Sequence, residues 1–355
     1  MNIFEAMREH GHEEVVFWYD RTTGLRAIVA IHDTSMGPAL GGCRRWQYAS
    51  EEEAVTDALR LSRGMTFKNA AMGLDMGGGK SVIWAEPDVP KSEAMLRSFG
   101  RLVQSLGGRY ITAEDVGITT EDMETMARET KFVGGLLETS GDPSPATALG
   151  VVEGMKAALA HVYGSPSLQG RHVAVQGLGH VGTVLSRMLH DEGARLTVAD
   201  IRPEHAERVA QELGAAVVGP DAIYDVACDI FAPCALGAVV NDDTLPRLAC
   251  RIVAGSANNQ LKEPRHGDAL RARQILYVPD FVINGGGVVN VADELHPDGY
   301  HHDRAYKRVA QIGQQVAEVI RIAVQEDIPT YEAADRLALA RLDQIGRVRR
   351  TYLPE

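Results

Sequence analysis

The chain has 355 residues, 45% of them hydrophobic and 24% charged, with a formal net charge of −12. That length exceeds the usual single domain, so two domains are expected. The acidic balance argues against electrostatic binding of nucleic acid or an acidic membrane surface, and no apolar run approaches the roughly 20 residues of a membrane span. The opening MNIFEAMREHGHEEVV carries charges where a secretory signal needs an apolar stretch. Cys43, Cys228, Cys234 and Cys250 are scattered, without the spacing of a zinc site or a disulfide framework, so reduced thiols in a cytoplasm are expected and no metal is.

In chain order, 14–20 (EVVFWYD) and 26–32 (RAIVAIH) read as strands separated by a turn at 21–24. Residues 51–68 read as a helix, with Ser50 and Glu53 spaced for a capping box and Ala54, Val55, Ala58, Leu59, Ser62 and Met65 at helical spacing. A Gly-dense stretch leads to the β-branched run SVIWA (81–85), a second helix is expected at 91–106, and 111–117 reads as strand into loop. GGLLETSGDPSPAT (134–147) has the composition of a hinge. Beyond it the rhythm alternates: helix 146–163, strand 172–176, helix 180–192, strand 195–199, helix 203–213, and strands at 215–218, 229–232, 251–254 and 275–278. Such alternation predicts a parallel sheet covered on both faces. Single helices over 303–326 and 331–346 close the chain.

HVAVQGLGHVG (172–182) holds Gly177, Gly179 and Gly182 at G-x-G-x-x-G spacing between a strand and a helix, with Asp200 closing the next strand. Each glycine serves a distinct physical purpose. Gly177 permits the tight turn, Gly179 lets backbone approach a pyrophosphate, and Gly182 allows close packing of helix on strand. The helix start, with Leu178, His180 and Val181 around it, would aim free N–H groups at the phosphates. Asp200 is placed to accept from a ribose hydroxyl and repel a 2′-phosphate, which favours NAD over NADP, although Arg202 nearby weakens that discrimination.

Upstream, Lys68 ends an otherwise apolar helical face, Lys80 follows Gly77, Gly78 and Gly79, and Asp115 interrupts small and apolar residues. The triple glycine invites a ligand close to the backbone. GLDMGGGKS has a superficial likeness to a phosphate-binding loop, but Leu74 stands where the first Gly belongs, and the segment runs from helix to strand instead of strand to helix. Two lysines in a partly buried site depress each other's pKa, so one can serve as base or water activator while the other holds a substrate carboxylate. With a carboxylate to exchange protons and a nicotinamide alongside, the set suits oxidation of an α-amino acid.

The segments GPALGGCR (37–44), DALRLSRGMTFKNA (57–70), GGGKSV (77–82), GRYITAEDVG (108–117), NDDTLP (241–246), AGSANNQLKE (254–263) and PDFVINGGGVVNVADEL (279–295) resemble, collinearly and over essentially the whole chain, the amino-acid dehydrogenase family of glutamate, leucine, phenylalanine and valine dehydrogenases. The leucine-type branch is the most similar. The resemblance implies an α/β fold: an N-terminal α/β substrate and oligomerisation domain over 1–135, a doubly wound parallel-sheet (Rossmann) NAD domain over 136–330, a cleft between them, and a C-terminal helix, 331–355, returning to the first domain. It implies Lys80 and Asp115 as catalytic groups and Lys68 on the substrate carboxylate. Leu40, Gly41, Met65, Ala113 and Val291 are implied around the substrate, and Asn259 at its amino group or the cofactor ribose. Thr147, Asn258 and Asn284 are implied toward the nicotinamide, and Ala235 and Gly237 beside the adenosine ribose. GGGK replaces the GGAK commoner in the branch, and His180 replaces a commoner Asn.

Leu40 stands where glutamate-acting members place a lysine before Gly-Gly, so the pocket is expected to be apolar and to reject a second carboxylate. Aromatic-accepting members tend toward Gly where this chain has Ala113, so Ala113 with Val291 points to branched aliphatic substrates, leucine first. The alternatives are phenylalanine or tryptophan as substrate, or an NAD-binding sensor without catalysis. Relatives imply a symmetric homo-oligomer between dimer and octamer, with no nucleic-acid partner. The pair His301-His302 reads as exposed loop, Cys234 as a small hydrophobe near the cofactor loop, and RVRR (347–350) as a helix end that caps or pairs at a subunit contact.

Overall fold

A computed structural model describes residues 2–86 and 89–349, and its chain divides into two compact units. The first comprises residues up to Asp142, Val291–His302 and those from Ala338 onward; the second comprises Pro143–Asn290 and Asp303–Leu337. The sequence-based division fell at 135/136 and 330/331 and did not foresee that 291–302 packs with the first unit. The end of the proposed returning helix, beyond 349, and Arg350 of the basic tail lie outside the described residues.

The first unit is built on a five-stranded mixed sheet. Its elements in chain order are α1 (Ile3–His10), β1 (Glu14–Asp20), β2 (Leu25–Asp33), β3 (Ala39–Trp46), α2 (Glu51–Ala71), β4 (Gly77–Trp84), α3 (Glu93–Ser105), β5 (Tyr110–Glu114) and α4 (Thr120–Ala127). The strand order is β1-β2-β4-β3-β5, with β2 antiparallel to β1 and β4, and β3 parallel to β4 and β5. Alternation along the strands sends Val29, Ile31, Ala39, Cys43, Ile83 and Tyr110 into a core with α3 and α4, where Phe99, Leu102, Met123 and Met126 are fully buried. Ile28, Ala30 and Val82 face the other way, onto Ala54, Val55, Ala58 and Leu59 of α2. Helix α2 starts where Ser50 Oγ accepts from the Glu53 N–H at 3.1 Å, while the Glu53 carboxylate takes the Ala49 N–H at 2.7 Å. It ends three residues later than its periodicity predicts, fastened by buried Asn69, which donates to the Gly77 carbonyl at 2.6 Å.

The second unit continues with α5 (Ser144–Tyr163), β6 (His172–Gln176), α6 (His180–Asp191), β7 (Arg195–Ala199), α7 (Pro203–Leu213), β8 (Ala216–Val217), β9 (Ile230–Pro233), β10 (Ile252–Val253), α8 (Pro264–Ala272), β11 (Leu276–Tyr277), α9 (Asp280–Ile283), α10 (Gly286–Ala292), α11 (His302–Val309), α12 (Ile312–Glu326) and α13 (Thr330–Arg349), the last and α10 running on into first-unit residues. All six strands are parallel in the order β11-β10-β9-β6-β7-β8. That is the doubly wound dinucleotide-binding order, whose direction reverses between β6 and β9, and ligands bind at such switch points beyond the carboxyl ends of the strands.

The expected single helix at 303–326 is two. The Gln311 N–H bonds three residues back to Arg308, which tightens the turn, and the next helix begins at Ile312, with Gly313 set against α5, where a Cβ would lie 3.0 Å from the Glu153 carbonyl oxygen. Strand β3 was not foreseen, because ALGGCRRW has no β-branched residue.

Candidate functional site

On β3, odd positions Ala39 and Cys43 enter the α3 core, so Leu40, Gly42 and Arg44 project from the α2 face. The same alternation on β5 and β4 puts Ala113 on that face, beside Gly42 in register, together with Lys80. Asp115 follows β5 directly and folds back over Gly42, whose missing Cβ would lie 2.9 Å from the Asp115 Cβ.

Lys80 is 4% exposed, and its Nζ lies 3.1 Å from Asp115 Oδ1. The other carboxylate oxygen, Oδ2, accepts from Arg44 Nε at 2.8 Å. Burial by itself raises the Asp115 pKa, but the charges of Lys80 and then Arg44 prevail and hold the carboxyl down at about 2. Arg44 also donates to Asp57 Oδ2 at 3.0 Å, and Asp57 accepts from Tyr48 Oη at 2.8 Å and Arg60 at 2.8 Å. Sequence reasoning missed Arg44 and Asp57. Arg44 lies in GPALGGCR, one of the segments that carry the family resemblance, but nothing local shows which carboxylate the guanidinium reaches.

Lys68 and Met65 are half-buried three residues apart on α2, and Met65 Cγ is 3.1 Å from the position a Cβ on Gly41 would take. Leu40 is fully buried. Val291 packs its Cγ1 against Gly134, 2.7 Å from that residue's missing Cβ, while the Gly134 N–H donates to the Thr112 carbonyl beside Ala113 at 2.9 Å. The Glu294 carboxylate accepts from the N–H groups of Gly135 and Ser140 at 3.1 Å and so ties the segment carrying Val291 to this loop.

The triple glycine does not leave backbone open to a ligand. A Cβ on Gly77 would meet the Asp33 carbonyl oxygen at 2.0 Å, one on Gly78 the Thr66 nitrogen at 2.1 Å, and one on Gly79 the ring of Tyr110 at 2.7 Å. The segment runs from helix α2 into strand β4, unlike a phosphate-binding loop.

In the second unit, Gly177 follows β6 with φ +91°, and a Cβ there would lie 2.7 Å from that of Ala235, which follows β9. Both stand at the switch point. A Cβ on Gly182 would sit 2.0 Å from the Gly177 carbonyl oxygen, so α6 can start this close to the turn only with glycine. Gly179 is exposed, with nothing within 4 Å of where its Cβ would be, and it begins α6 without a side-chain cap. Leu178 is buried, so it offers backbone, and its N–H donates to Asp200 Oδ2 at 2.7 Å; Asp200 Oδ1 accepts from the Arg202 N–H at 2.9 Å. His180 is exposed and Val181 half-buried.

Two side chains that sequence reasoning missed flank this turn. Ile201 and Leu236 are 83% and 84% exposed just past the carboxyl ends of β7 and β9. Gly237 backs onto the Asn258 carbonyl oxygen, 2.6 Å from its missing Cβ, and Ala238 and Asn259 take left-handed backbone conformations joined by a 2.6 Å hydrogen bond. Asn284 donates to Asn258 Oδ1 at 2.7 Å and to the Ser256 carbonyl at 3.1 Å; its own buried Oδ1 has no partner among the described residues. Thr147 donates to the Pro143 carbonyl, with its Oγ1 2.8 Å from the Cβ position of Gly287. The uncapped helix start, the open backbone at Gly179 and the unpartnered Asn284 amide oxygen fit a dinucleotide.

Cys234 is half-buried against Gly182, and burial raises its thiol pKa, which suits a packing role. His301 and His302 are exposed. Among the described residues, no helix is long and apolar enough to cross a membrane.

A doubly wound dinucleotide sheet in one unit and a buried lysine–aspartate pair in the other define a dinucleotide-dependent dehydrogenase. Comparison with known proteins gives the particular family. The model described as "Glu/Leu/Phe/Val dehydrogenase, dimerisation domain" matches residues 12–132, and that described as "Glutamate/Leucine/Phenylalanine/Valine dehydrogenase" matches 139–203 and 197–349. The chain is 55% identical to leucine dehydrogenase of Thermoactinomyces intermedius, over 100% of its own length and 97% of the relative's. It is 54% identical to leucine dehydrogenase of Geobacillus stearothermophilus, over 99% and 96%. The crystal structure of L-tryptophan dehydrogenase from Nostoc punctiforme superposes with a TM-score of 0.85 at 46% identity, covering 97% of this chain and 99% of that one. The chain belongs to the glutamate/leucine/phenylalanine/valine dehydrogenase family.

Proposed function

We propose that the protein catalyses the reversible NAD-dependent oxidative deamination of L-leucine and other branched-chain L-amino acids, giving the 2-oxo acid, ammonia and NADH. The observation that carries this reading is the buried Lys80–Asp115 pair on the same sheet face as apolar Leu40 and Ala113. Similarity to leucine dehydrogenases along the full chain supports the choice of substrate.

In this reading the first unit is the substrate and oligomerisation domain and the second the NAD domain. Lys68 holds the substrate carboxylate and Asn259 its amino group or the cofactor ribose, while Leu40, Gly41, Met65, Ala113 and Val291 surround the side chain. Gly177 to Gly182 receive the pyrophosphate, Asp200 the ribose hydroxyl, and Ala235 and Gly237 the edge of the adenosine, with Ile201 and Leu236 offering apolar cover. Thr147, Asn258 and Asn284 serve the carboxamide and ribose at the other end. Bound NAD supplies the hydride acceptor for the substrate Cα. Lys80 activates the water that adds to the imine carbon left on the substrate. Asp115, ionised throughout the working pH range by its two cationic neighbours, receives a proton and returns it to the departing ammonia. A glutamate side chain would bring a second carboxylate against apolar Leu40, at the position where glutamate-acting members of the family place a lysine.

The protein is proposed to work in the cytoplasm as a homo-oligomer between dimer and octamer, a reading supported by the description of the first family model as a dimerisation domain. NADH formation at alkaline pH across a panel of L-amino acids, with NAD and with NADP, tests the whole proposal. Leucine, isoleucine and valine with NAD are the expected substrates. Preference for phenylalanine or tryptophan would overturn the pocket assignment, and no turnover with any amino acid would overturn the enzymatic reading.

A further inference from the structure

Lys80 and Asp115 are only part of the charged cluster on this face. Arg44 stands two residues beyond Gly42 on β3, so both face α2, and its guanidinium spans two carboxylates: Nε to Asp115 Oδ2 at 2.8 Å and one terminal nitrogen to Asp57 Oδ2 at 3.0 Å. All three side chains are largely buried. Asp57 is fixed in turn by Tyr48 Oη at 2.8 Å and Arg60 at 2.8 Å. Asp115 therefore has one oxygen fastened to a braced guanidinium and the other turned to Lys80.

We infer that Arg44, braced by Asp57, is the positioning residue that orients the Asp115 carboxylate toward Lys80 and keeps it ionised for proton transfer. This rests on the proposed reading of Asp115 as the proton-transferring group. The ionisable groups acting on Asp115 are Lys80 on β4, Arg44 and the Cys43 thiol on β3, Tyr110 on β5 and Tyr48 before α2, with Asp57 of α2 reached through Arg44. Burial raises the thiol and both phenols, which leaves Lys80 and Arg44 as the groups that favour the carboxylate. Arginine suits this position, because a planar fork can engage two carboxylates at once, whereas an ammonium on a flexible stem cannot hold both in fixed directions.

The test follows the titration of the Asp115 carboxyl itself by carboxyl-carbon NMR, its signal assigned by loss in Asp115→Asn, together with kcat and KM for leucine at alkaline pH, in the intact enzyme and in Arg44→Met, Arg44→Lys and Asp57→Asn. In Arg44→Met the Asp115 midpoint should move up by about one unit or more, the usual effect of an adjacent arginine on an aspartate. The kcat should fall about 100-fold, as for an active-site group misplaced by an ångström, with KM nearly unchanged because Lys68 still holds the substrate. Arg44→Lys should restore the midpoint but not kcat. Asp57→Asn leaves every group at Asp115 in place and should shift the midpoint in the same direction by less; it also provides the reading if Arg44→Met fails to fold. A loss of activity with an unmoved Asp115 midpoint would show that Arg44 merely supports the fold, and would overturn the inference. Asp115→Asn separates the two claims: full turnover in that variant would overturn the assignment of Asp115 itself, whatever Arg44 does.

Discussion

Two glycines of the dinucleotide turn separate a structural role from a binding role. A Cβ on Gly182 would sit 2.0 Å from the Gly177 carbonyl oxygen, whereas real Cβ atoms stay beyond 3.0 Å. The start of α6 must therefore retreat by about 1 Å in Gly182→Ala, and overpacking of this kind costs about 1–3 kcal/mol. In a unit of this size that lowers the melting temperature by about 2–4 °C per kcal/mol. The displaced helix start also loses its aim at the phosphates, so the Kd for NAD should rise at least about tenfold, equivalent to about 1.4 kcal/mol. Gly179→Ala is different, because nothing lies within 4 Å of the added methyl and Gly179 already has a negative φ of −69°. Its stability should change by no more than about 0.5 kcal/mol, since the weaker helix cap is offset by a stiffer unfolded chain. If pyrophosphate lies against this backbone, the methyl stands in its way, and NAD binding should weaken about tenfold with no loss of stability. Calorimetric titration with NAD and thermal unfolding of both variants provide the check. Gly179→Ala binding NAD as tightly as the parent would refute the placement of the cofactor at this turn, even if Gly182→Ala behaves as expected.

Asp115 is held at about 2 against an ordinary 3.8, so its carboxylate contributes stability above pH 3.8 that is lost as the pH falls toward 2. Urea unfolding should show the stability advantage of the parent over Asp115→Asn shrinking by about 2 kcal/mol across that window, and a constant difference would contradict the pairing. Ala113→Gly removes a methyl from the proposed pocket and should move the kcat/KM ratio toward phenylalanine over leucine by about 10-fold or more; an unchanged ratio would place the pocket elsewhere. Gly134→Ala would push a methyl to 2.7 Å from Val291 Cγ1. If Val291 lines the pocket, its displacement should favour valine over leucine in competition assays, and an unaltered preference would remove Val291 from it.

The elements most legible in the sequence were those with strong local signals. EVVFWYD is a strand over the predicted residues, and β6, β7 and α7 match their predicted limits, because β-branched runs and apolar periodicity dictate them locally. Strand β3 was invisible because its glycines exist to admit neighbours: Gly41 faces the Gly79 carbonyl and Gly42 the Glu114 carbonyl and Asp115. The dinucleotide turn was legible as a contiguous motif. The Arg44–Asp57 brace was not, since its partners come from β3, α2 and the loop after β5 and meet only when the sheet and helix pack. The segment 291–302 gave no compositional sign that it packs with the first unit.

The glycines before Lys80 drew attention for a cause that the packing does not bear out. Their number suggested a ligand lying on the backbone, yet each is filled from within the protein. Gly78 is the consequential one. Because a Cβ there would lie 2.1 Å from the Thr66 nitrogen, the backbone of α2 can descend onto β4 only with glycine at that position. Thr66 is two residues from Lys68 and one from Met65. The close approach that Gly78 permits therefore sets how near the helix bearing Lys68 can come to the strand bearing Lys80. Gly79 does the same on the opposite face, making room for the Tyr110 ring, whose hydroxyl donates to the Gly41 carbonyl of β3 at 2.6 Å and lies 3.0 Å from Ser81 Oγ of β4, linking the two strands. The glycines thus govern the spacing of the elements that present the two lysines, and a methyl at Gly78 would disturb the proposed substrate carboxylate site without touching any group that binds substrate.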